Sequence, residues 1–139
     1  GELGRIGLAI SPVNPDRVFA VVEAGKGKKG VYRTDNRGAS WTKKSATSTS
    51  GNYYQEIYCD PTNEDIVYIM DTYGLISYKG GAEFERIKEK NKHVDNHALW
   101  VNPNNRMHWI MGCDGGVYET YDEGAQWNFK ANKHPNNSS

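Results

Sequence analysis

Thr34-Asp35-Asn36-Arg37-Gly38-Ala39-Ser40-Trp41 returns as Thr120-Tyr121-Asp122-Glu123-Gly124-Ala125-Gln126-Trp127 and, more loosely, as Ser77-Tyr78-Lys79-Gly80-Gly81-Ala82-Glu83-Phe84. All three follow the pattern hydroxyl-x-polar-x-Gly-Ala-x-aromatic, and the closing aromatics stand 43 residues apart both times. Self-similarity at a fixed period is the signature of a repeat architecture. Gly38, Gly81 and Gly124 stand where a hairpin turn needs positive φ, which glycine adopts without a steric penalty. Asn36 and Asp122 can accept bonds from the amides of that turn, and the terminal aromatic is expected to pack beneath it.

Upstream of each octet the same order of segments recurs. Gly7 to Ile10, Glu56 to Cys59 and Ala98 to Val101 are followed by Pro/Asn/Asp clusters: Ser11 to Asp16, Asp60 to Asn63, and Asn102 to Asn105. Proline fixes φ and Asn and Asp bond their own backbone, so these clusters are turns. Next come Val18 to Val22, Ile66 to Met70 and Met107 to Met111, then Val31 to Arg33, Leu75 to Ser77 and Val117 to Glu119. These runs are β-branched and aromatic and too short for helices. After the octet a fourth run follows: Trp41 to Lys44, Phe84 to Ile87, Trp127 to Phe129. Each unit therefore holds strands A, B, C and D, the content of one propeller blade. The fold class is all-β: three consecutive four-stranded antiparallel blades at about residues 5–45, 54–89 and 97–131, with a disordered tail at 132–139. Glu83 to Lys92 has charges at helical spacing, but its phase makes it strand D plus a solvated linker.

Composition narrows the function. The 139 residues carry 17 Lys+Arg against 17 Asp+Glu, a net charge of zero that offers no basic excess to displace counterions, so no nucleic-acid partner is expected. A mean hydropathy of −0.80 and the lack of any run of about eighteen apolar residues predict no membrane insertion by a helix. The chain shows no charged-then-apolar leader. Fifteen glycines and sixteen aromatics suit many short strands joined by polar turns.

The octet resembles the Asp box of the bacterial-neuraminidase-type repeats, S/T-x-D-x-G-x-T/S-W, which occurs in sialidases, sortilin-type receptors and xyloglucan-cleaving propellers. The third copy matches in full but for Gln126, the first has Asn36 for the acid, and the second has Lys79 for the acid and Phe84 for Trp. Arg5 to Pro12 and His93 to Trp100 are similar to the subgroup called glycosyl-hydrolase-like or sortilin-like. The resemblance implies a β-propeller in which Thr34, Asn36, Gly38, Trp41, Ser77, Gly81, Phe84, Thr120, Asp122, Gly124 and Trp127 are structural. It also implies a secreted, periplasmic or cell-envelope location, and a ligand at the loop face opposite the boxes.

Strand order sets that face. The D-to-A and B-to-C loops lie at one end of every blade, and the A-to-B turns and octets at the other. Arg5, Tyr53, Tyr54, His93, Asp95 and His97 are the ligand-binding candidates there. Tyr53 and Tyr54 can stack on sugar rings or pack between blades. His93-x-Asp95-x-His97 puts three ligand-type side chains on one side of a strand, but the outer two lie roughly 13 Å apart at about 3.3 Å per residue. One metal does not reach all three without a bend, and no metal site or cofactor is expected. Strand capping is the structural reading of the same residues.

Asp114, in Cys113-Asp114-Gly115-Gly116-Val117-Tyr118, resembles the T-D-x-G-G-x-Y segment of xyloglucan-cleaving propellers, whose Asp is catalytic, although the spacing here is one residue shorter. Glycoside hydrolysis needs a second carboxylate about 5–9.5 Å away, and Asp71 is the local candidate. The structural reading of Asp114 is a turn residue before a tight glycine pair. Sialidase chemistry is not expected, since no arginine triad can be assembled. The Gly25 to Gly30 loop is basic and either steers an anionic ligand or is a solvated tip.

Cys59 ends a strand A and Cys113 follows a strand B, so they fall at opposite ends and should be free thiols. Three blades do not close a standard ring, and the expected partners are the remaining blades of a longer chain or a second copy. The function expected is a propeller segment binding a carbohydrate or protein ligand at the D-A/B-C loop face. The alternatives are a glycoside hydrolase segment using Asp114, or a structural self-assembly module.

Overall fold

The computed structural model describes residues 5–25, 27–48, 56–90, 92 and 95–131. Twelve strands form among them: β1 (Arg5–Ile10), β2 (Val18–Glu23), β3 (Gly30–Thr34), β4 (Thr42–Ser45), β5 (Glu56–Cys59), β6 (Val67–Met70), β7 (Leu75–Ser77), β8 (Glu85–Arg86), β9 (Asn96–Asn102), β10 (Asn105–Cys113), β11 (Gly116–Thr120) and β12 (Asn128–Ala131). They make three four-stranded antiparallel meanders, β1-β2-β3-β4, β5-β6-β7-β8 and β9-β10-β11-β12, which are propeller blades. The disordered tail expected at 132–139 lies outside the described residues.

The sheets stack face to face and the core lies between them. Phe19, Val21 and Val31 of the first sheet meet Ile57, Val67 and Ile69 of the second. From its other face, Tyr68, Met70 and Ile76 meet Leu99, Trp109 and Met111 of the third. The middle sheet is covered on both faces, which is why all four residues of β6 are buried and its sequence is continuously apolar. The register repeats as well: Leu8 pairs with Ala20 and Ala20 with Tyr32, Ile57 with Ile69 and Ile69 with Leu75, Leu99 with Met111 and Met111 with Tyr118.

The octets are C-to-D turns of one geometry. In each the leading hydroxyl accepts the glycine amide four residues on: Gly38 to Thr34 Oγ1 at 2.9 Å, Gly81 to Ser77 Oγ at 3.0 Å, Gly124 to Thr120 Oγ1 at 2.9 Å. Asn36 and Asp122 accept the amides of Ser40 and Gln126 through Oδ1, both at 2.9 Å. The Gln126 amide and then the Thr120 hydroxyl hold the Asp122 carboxyl below its usual range. Two successive residues have positive φ in every copy: Arg37 and Gly38, Gly80 and Gly81, Glu123 and Gly124. Lys79 lacks the acceptor of its counterparts, yet the turn keeps its form because the hydroxyl and the glycines carry it.

A Cβ on Gly124 comes within 2.8 Å of the Lys88 carbonyl and 3.0 Å of Ile87, while at Gly38 nothing is nearer than 3.9 Å. Gly38→Ala is expected to cost about 1–2 kcal/mol from left-handed backbone alone, and Gly124→Ala clearly more. Thermal denaturation of both variants checks this, and equal losses would show that the close approach to the preceding blade is relieved at no cost.

The octet end also carries polar ties between sheets. Arg17 bonds Asp35 in its own blade at 2.6 Å and Asp65 in the next at 2.9 Å. Arg106 of the third blade reaches Asp60 of the second at 3.3 Å and Glu123 at 2.6 Å. Asp60 is fully buried and also accepts from Thr62 and from the Tyr68 hydroxyl. Burial, and then Asp60, raise the Tyr68 phenol well above its ordinary value. This end is a structural clamp.

One expectation is corrected in part. The segment after β8 is not solvated throughout: Lys88 and Lys90 are exposed, but the Glu89 and Lys92 side chains are buried, because the third blade closes over them. The aromatic ending the octet lies against its own turn glycine in the first and third copies but is not equally buried; Trp41 is 43% exposed and Trp127 only 7%. Trp127 is buried by the preceding sheet, donating its indole N–H to the Lys88 carbonyl at 2.7 Å, and Trp41 has no such sheet over it. Both cysteines are free, and burial pushes the Cys59 thiol up to about 12 and the Cys113 thiol up as well, so neither is a ready nucleophile.

Candidate functional site

At the end opposite the clamp, the second and third blades join their loops through the backbone. The Asp95 amide donates to the Thr72 carbonyl at 2.8 Å, Asn96 to Asp71 at 3.0 Å, and Asp114 to Asp95 at 3.3 Å. Asp95 is left-handed, φ 65°, a conformation that short polar side chains tolerate. These three bonds bring the 71–74 loop, the 95–97 strand start and the 114–115 turn into one rim.

On that rim His97 Nε2 lies 2.5 Å from Asp114 Oδ1, with the two side chains 46% and 54% exposed. The two form a close hydrogen bond between an imidazole nitrogen and a carboxylate oxygen. His97 opens β9 and Asp114 follows β10, antiparallel neighbours, so the pair spans one sheet edge and presents an imidazole and a carboxylate outward. Such a pair can donate to and accept from hydroxyl or amide groups of a ligand.

Beneath the rim sits a buried polar cluster. Lys92 Nζ lies 2.7 Å from Glu89 Oε2 and donates to Asn96 Oδ1 at 2.5 Å; the Lys92 side chain has no exposure and Glu89 has 7%. Asn96 Nδ2 donates to Glu89 Oε2 at 2.9 Å, and the Gly74 amide to Glu89 Oε1 at 2.9 Å. The ammonium also stands 5.3 Å from the Trp127 ring and 5.9 Å from the Tyr118 ring. Glu89 thus holds the 71–74 loop, and Lys92 holds Asn96, the residue between Asp95 and His97. The buried cluster sets the height of the rim.

Among the residues singled out from sequence, the structure brings together Asp71, Asp95, His97 and Asp114. Arg5 begins β1 of the first blade at the same end of the molecule, in register with Glu23. Tyr53, Tyr54 and His93 lie outside the described residues. Sequence reading missed Glu89, Lys92 and Asn96, which look like ordinary solvated polar residues. It also missed Tyr73, an exposed aromatic in the 71–74 loop whose ring carries the Arg86 guanidinium at 3.9 Å. The only signal for Tyr73 was its place two residues after Asp71.

No protein-family model matches the sequence, and no curated protein matches it by sequence. Solved structures do match. A GH74 enzyme of Niastella koreensis superposes with a TM-score of 0.71 at 14% identity, over 96% of this chain and 22% of that one. The GH74 xyloglucanase of Xanthomonas campestris gives 0.65 at 14% identity, over 92% and 23%. YCF48 bound to D1 peptide gives 0.60 at 15% identity, over 91% and 39%. The likeness establishes the propeller fold. The chain spans about a fifth of the length of the GH74 enzymes and under two fifths of YCF48.

Proposed function

We propose that this chain contributes a ligand-binding loop face to a β-propeller, and that the ligand lies across the rim of Asp71, Tyr73, Asp95, His97 and Asp114. The observation that carries the reading is the half-exposed His97–Asp114 pair, held outward by backbone bonds between two blades and braced from below by Glu89 and Lys92. Preformed polar groups beside an exposed aromatic suit a carbohydrate, whose hydroxyls and ring faces call for both. The GH74 neighbours include a xyloglucanase, which makes xyloglucan oligosaccharides the first probes; YCF48 was solved with a peptide, which makes an extended peptide the second.

Titration calorimetry tests this. His97→Ala and Asp114→Asn are each expected to weaken binding about tenfold or more, the worth of a lost charge-assisted hydrogen bond. Both side chains are about half exposed, so circular dichroism should not change. No binding by the parent chain, or equal affinity in both variants, would sink the reading. A reducing-sugar assay on the same samples separates binding from turnover, and hydrolysis lost in Asp114→Asn with binding retained would make Asp114 a catalytic carboxylate instead.

A further inference from the structure

The two junctions between sheets are built on one plan and differ at a telling position. Arg33 stands just before the first octet and Ile76 just before the second. Both side chains face the next blade, since each pairs across the sheet with a residue packed in that junction, Phe19 and Tyr68. Arg33 fills the space it faces. Its guanidinium donates to Asp35 at 3.1 Å and crosses the junction to the Gly80 carbonyl, also at 3.1 Å. It passes so close that Gly80 has no room for a Cβ. Ile76 is too short for that crossing, and a cleft of about 180 Å³ stays open between the second and third blades. Both of its walls are blades of this chain.

The cleft repeats the surroundings of Arg33 without the arginine. Ile76 and Trp109, both buried, form its floor. Glu123 holds the octet position of Gly80, and its amide bonds the Met107 carbonyl at 3.0 Å as that of Gly80 bonds Asp65 at 2.8 Å, so its own carbonyl is presented in the same way. Tyr78 holds the position of Asp35 and gives the cleft an aromatic wall, 44% exposed. The ring is fixed in place, because its hydroxyl donates to Glu123 at 3.1 Å and Glu123 is held by Arg106 at 2.6 Å. Glu85 completes the wall with an exposed carboxylate that forms no ion pair among the described residues. Of the cations nearby, Arg86 lies on the Tyr73 ring at 3.9 Å, Arg106 is paired with Asp60 and Glu123, and Lys88 is exposed.

We propose that this cleft binds an arginine side chain of a partner peptide, the guanidinium donating to the Glu85 carboxylate and the Glu123 carbonyl with its plane against Tyr78. A guanidinium carries the planar fork of donors that two such acceptors call for and stacks on aromatic rings. It is also more weakly hydrated than an ammonium, so it enters a half-enclosed cleft at less cost. Tyr78 and Glu85 wall a second hollow of about 160 Å³ beside Lys79 and Phe84, which takes the peptide residue next to the arginine. The site lies beside the octets and does not depend on the rim.

NMR titration of the chain with Nα-acetylarginine amide tests this. The amides of Tyr78, Glu85 and Glu123 should shift in a saturable way, and Nα-acetyllysine amide should bind more weakly. Glu85→Gln and Tyr78→Ala, both on exposed side chains, should each weaken binding about threefold or more, while Tyr78→Phe, which keeps the ring, should stay within about twofold of the parent. Absence of a saturable shift, equal binding of the lysine amide, or parental affinity in both Glu85→Gln and Tyr78→Ala overturns the proposal. Shifts confined to residues 71–74, 95–97 and 114–115 overturn it too, because they place the ligand on the rim.

Discussion

Trp127→Ala is expected to cost about 3–5 kcal/mol of stability, the range for deleting a large buried aromatic, while Trp41→Ala should cost less than about 1 kcal/mol. The two tryptophans end the same octet, and their surroundings differ. Trp127 is 7% exposed, bonds the Lys88 carbonyl across the blade junction, and stands 6.3 Å from Trp109 and 5.3 Å from the Lys92 ammonium. Removing it opens a cavity between sheets and leaves the Lys88 carbonyl without its donor. Trp41 is 43% exposed and covers only part of an open groove. Urea denaturation of both variants gives the comparison directly. A domain of this kind has a total stability of only about 5–15 kcal/mol, so the Trp127 variant should lose a large share of it. Equal costs would mean that the octet aromatic acts within its own turn and not across the junction.

The second large effect is expected at Lys92. Lys92→Met removes one end of a pair whose other end, Glu89, is 7% exposed, and breaking a buried pair in this way costs about 3–5 kcal/mol. Glu89→Gln should cost a similar amount, because it strands the Lys92 ammonium, which has no exposure, even though an amide oxygen can still accept from the Gly74 amide that Glu89 Oε1 now holds at 2.9 Å. In the double variant Glu89→Gln with Lys92→Met the stranded carboxylate is gone, so stability should lie above that of Lys92→Met alone. Chemical denaturation of the four proteins closes the cycle. Lys92 also bonds Asn96, next to His97, so Lys92→Met should weaken ligand binding at the rim without touching the ligand. A Lys92→Met protein within about 1 kcal/mol of the parent would show that the cluster is not what anchors the third blade to the 71–74 loop.

Much of the fold was legible in the residues. The three octets, the Pro/Asn/Asp turns and the short β-branched runs place all twelve strands to within a few residues, because turn chemistry and strand pairing are local. The opposition of two ends also followed, since a meander alternates its loops. That separation put Asp71, Asp95, His97 and Asp114 at one end before any contact was known. Their joining was not legible: two of the backbone bonds depend on how the second and third blades meet, and the Asp114–Asp95 bond and the short His97–Asp114 approach depend on how β9 and β10 end.

The sequence by itself determined the strand order, the octet turns with their left-handed glycines, and the end at which a ligand is sought. Each of these follows from backbone preferences within about ten residues. Only the tertiary structure decided which copies of a repeated residue are buried: Trp127 but not Trp41, Leu99 but not Leu8, and Lys92 despite its charge. The physical reason is the same in each case. A blade buries a face only when a neighbouring sheet lies on it, and identical motifs carry no information about which neighbour is present.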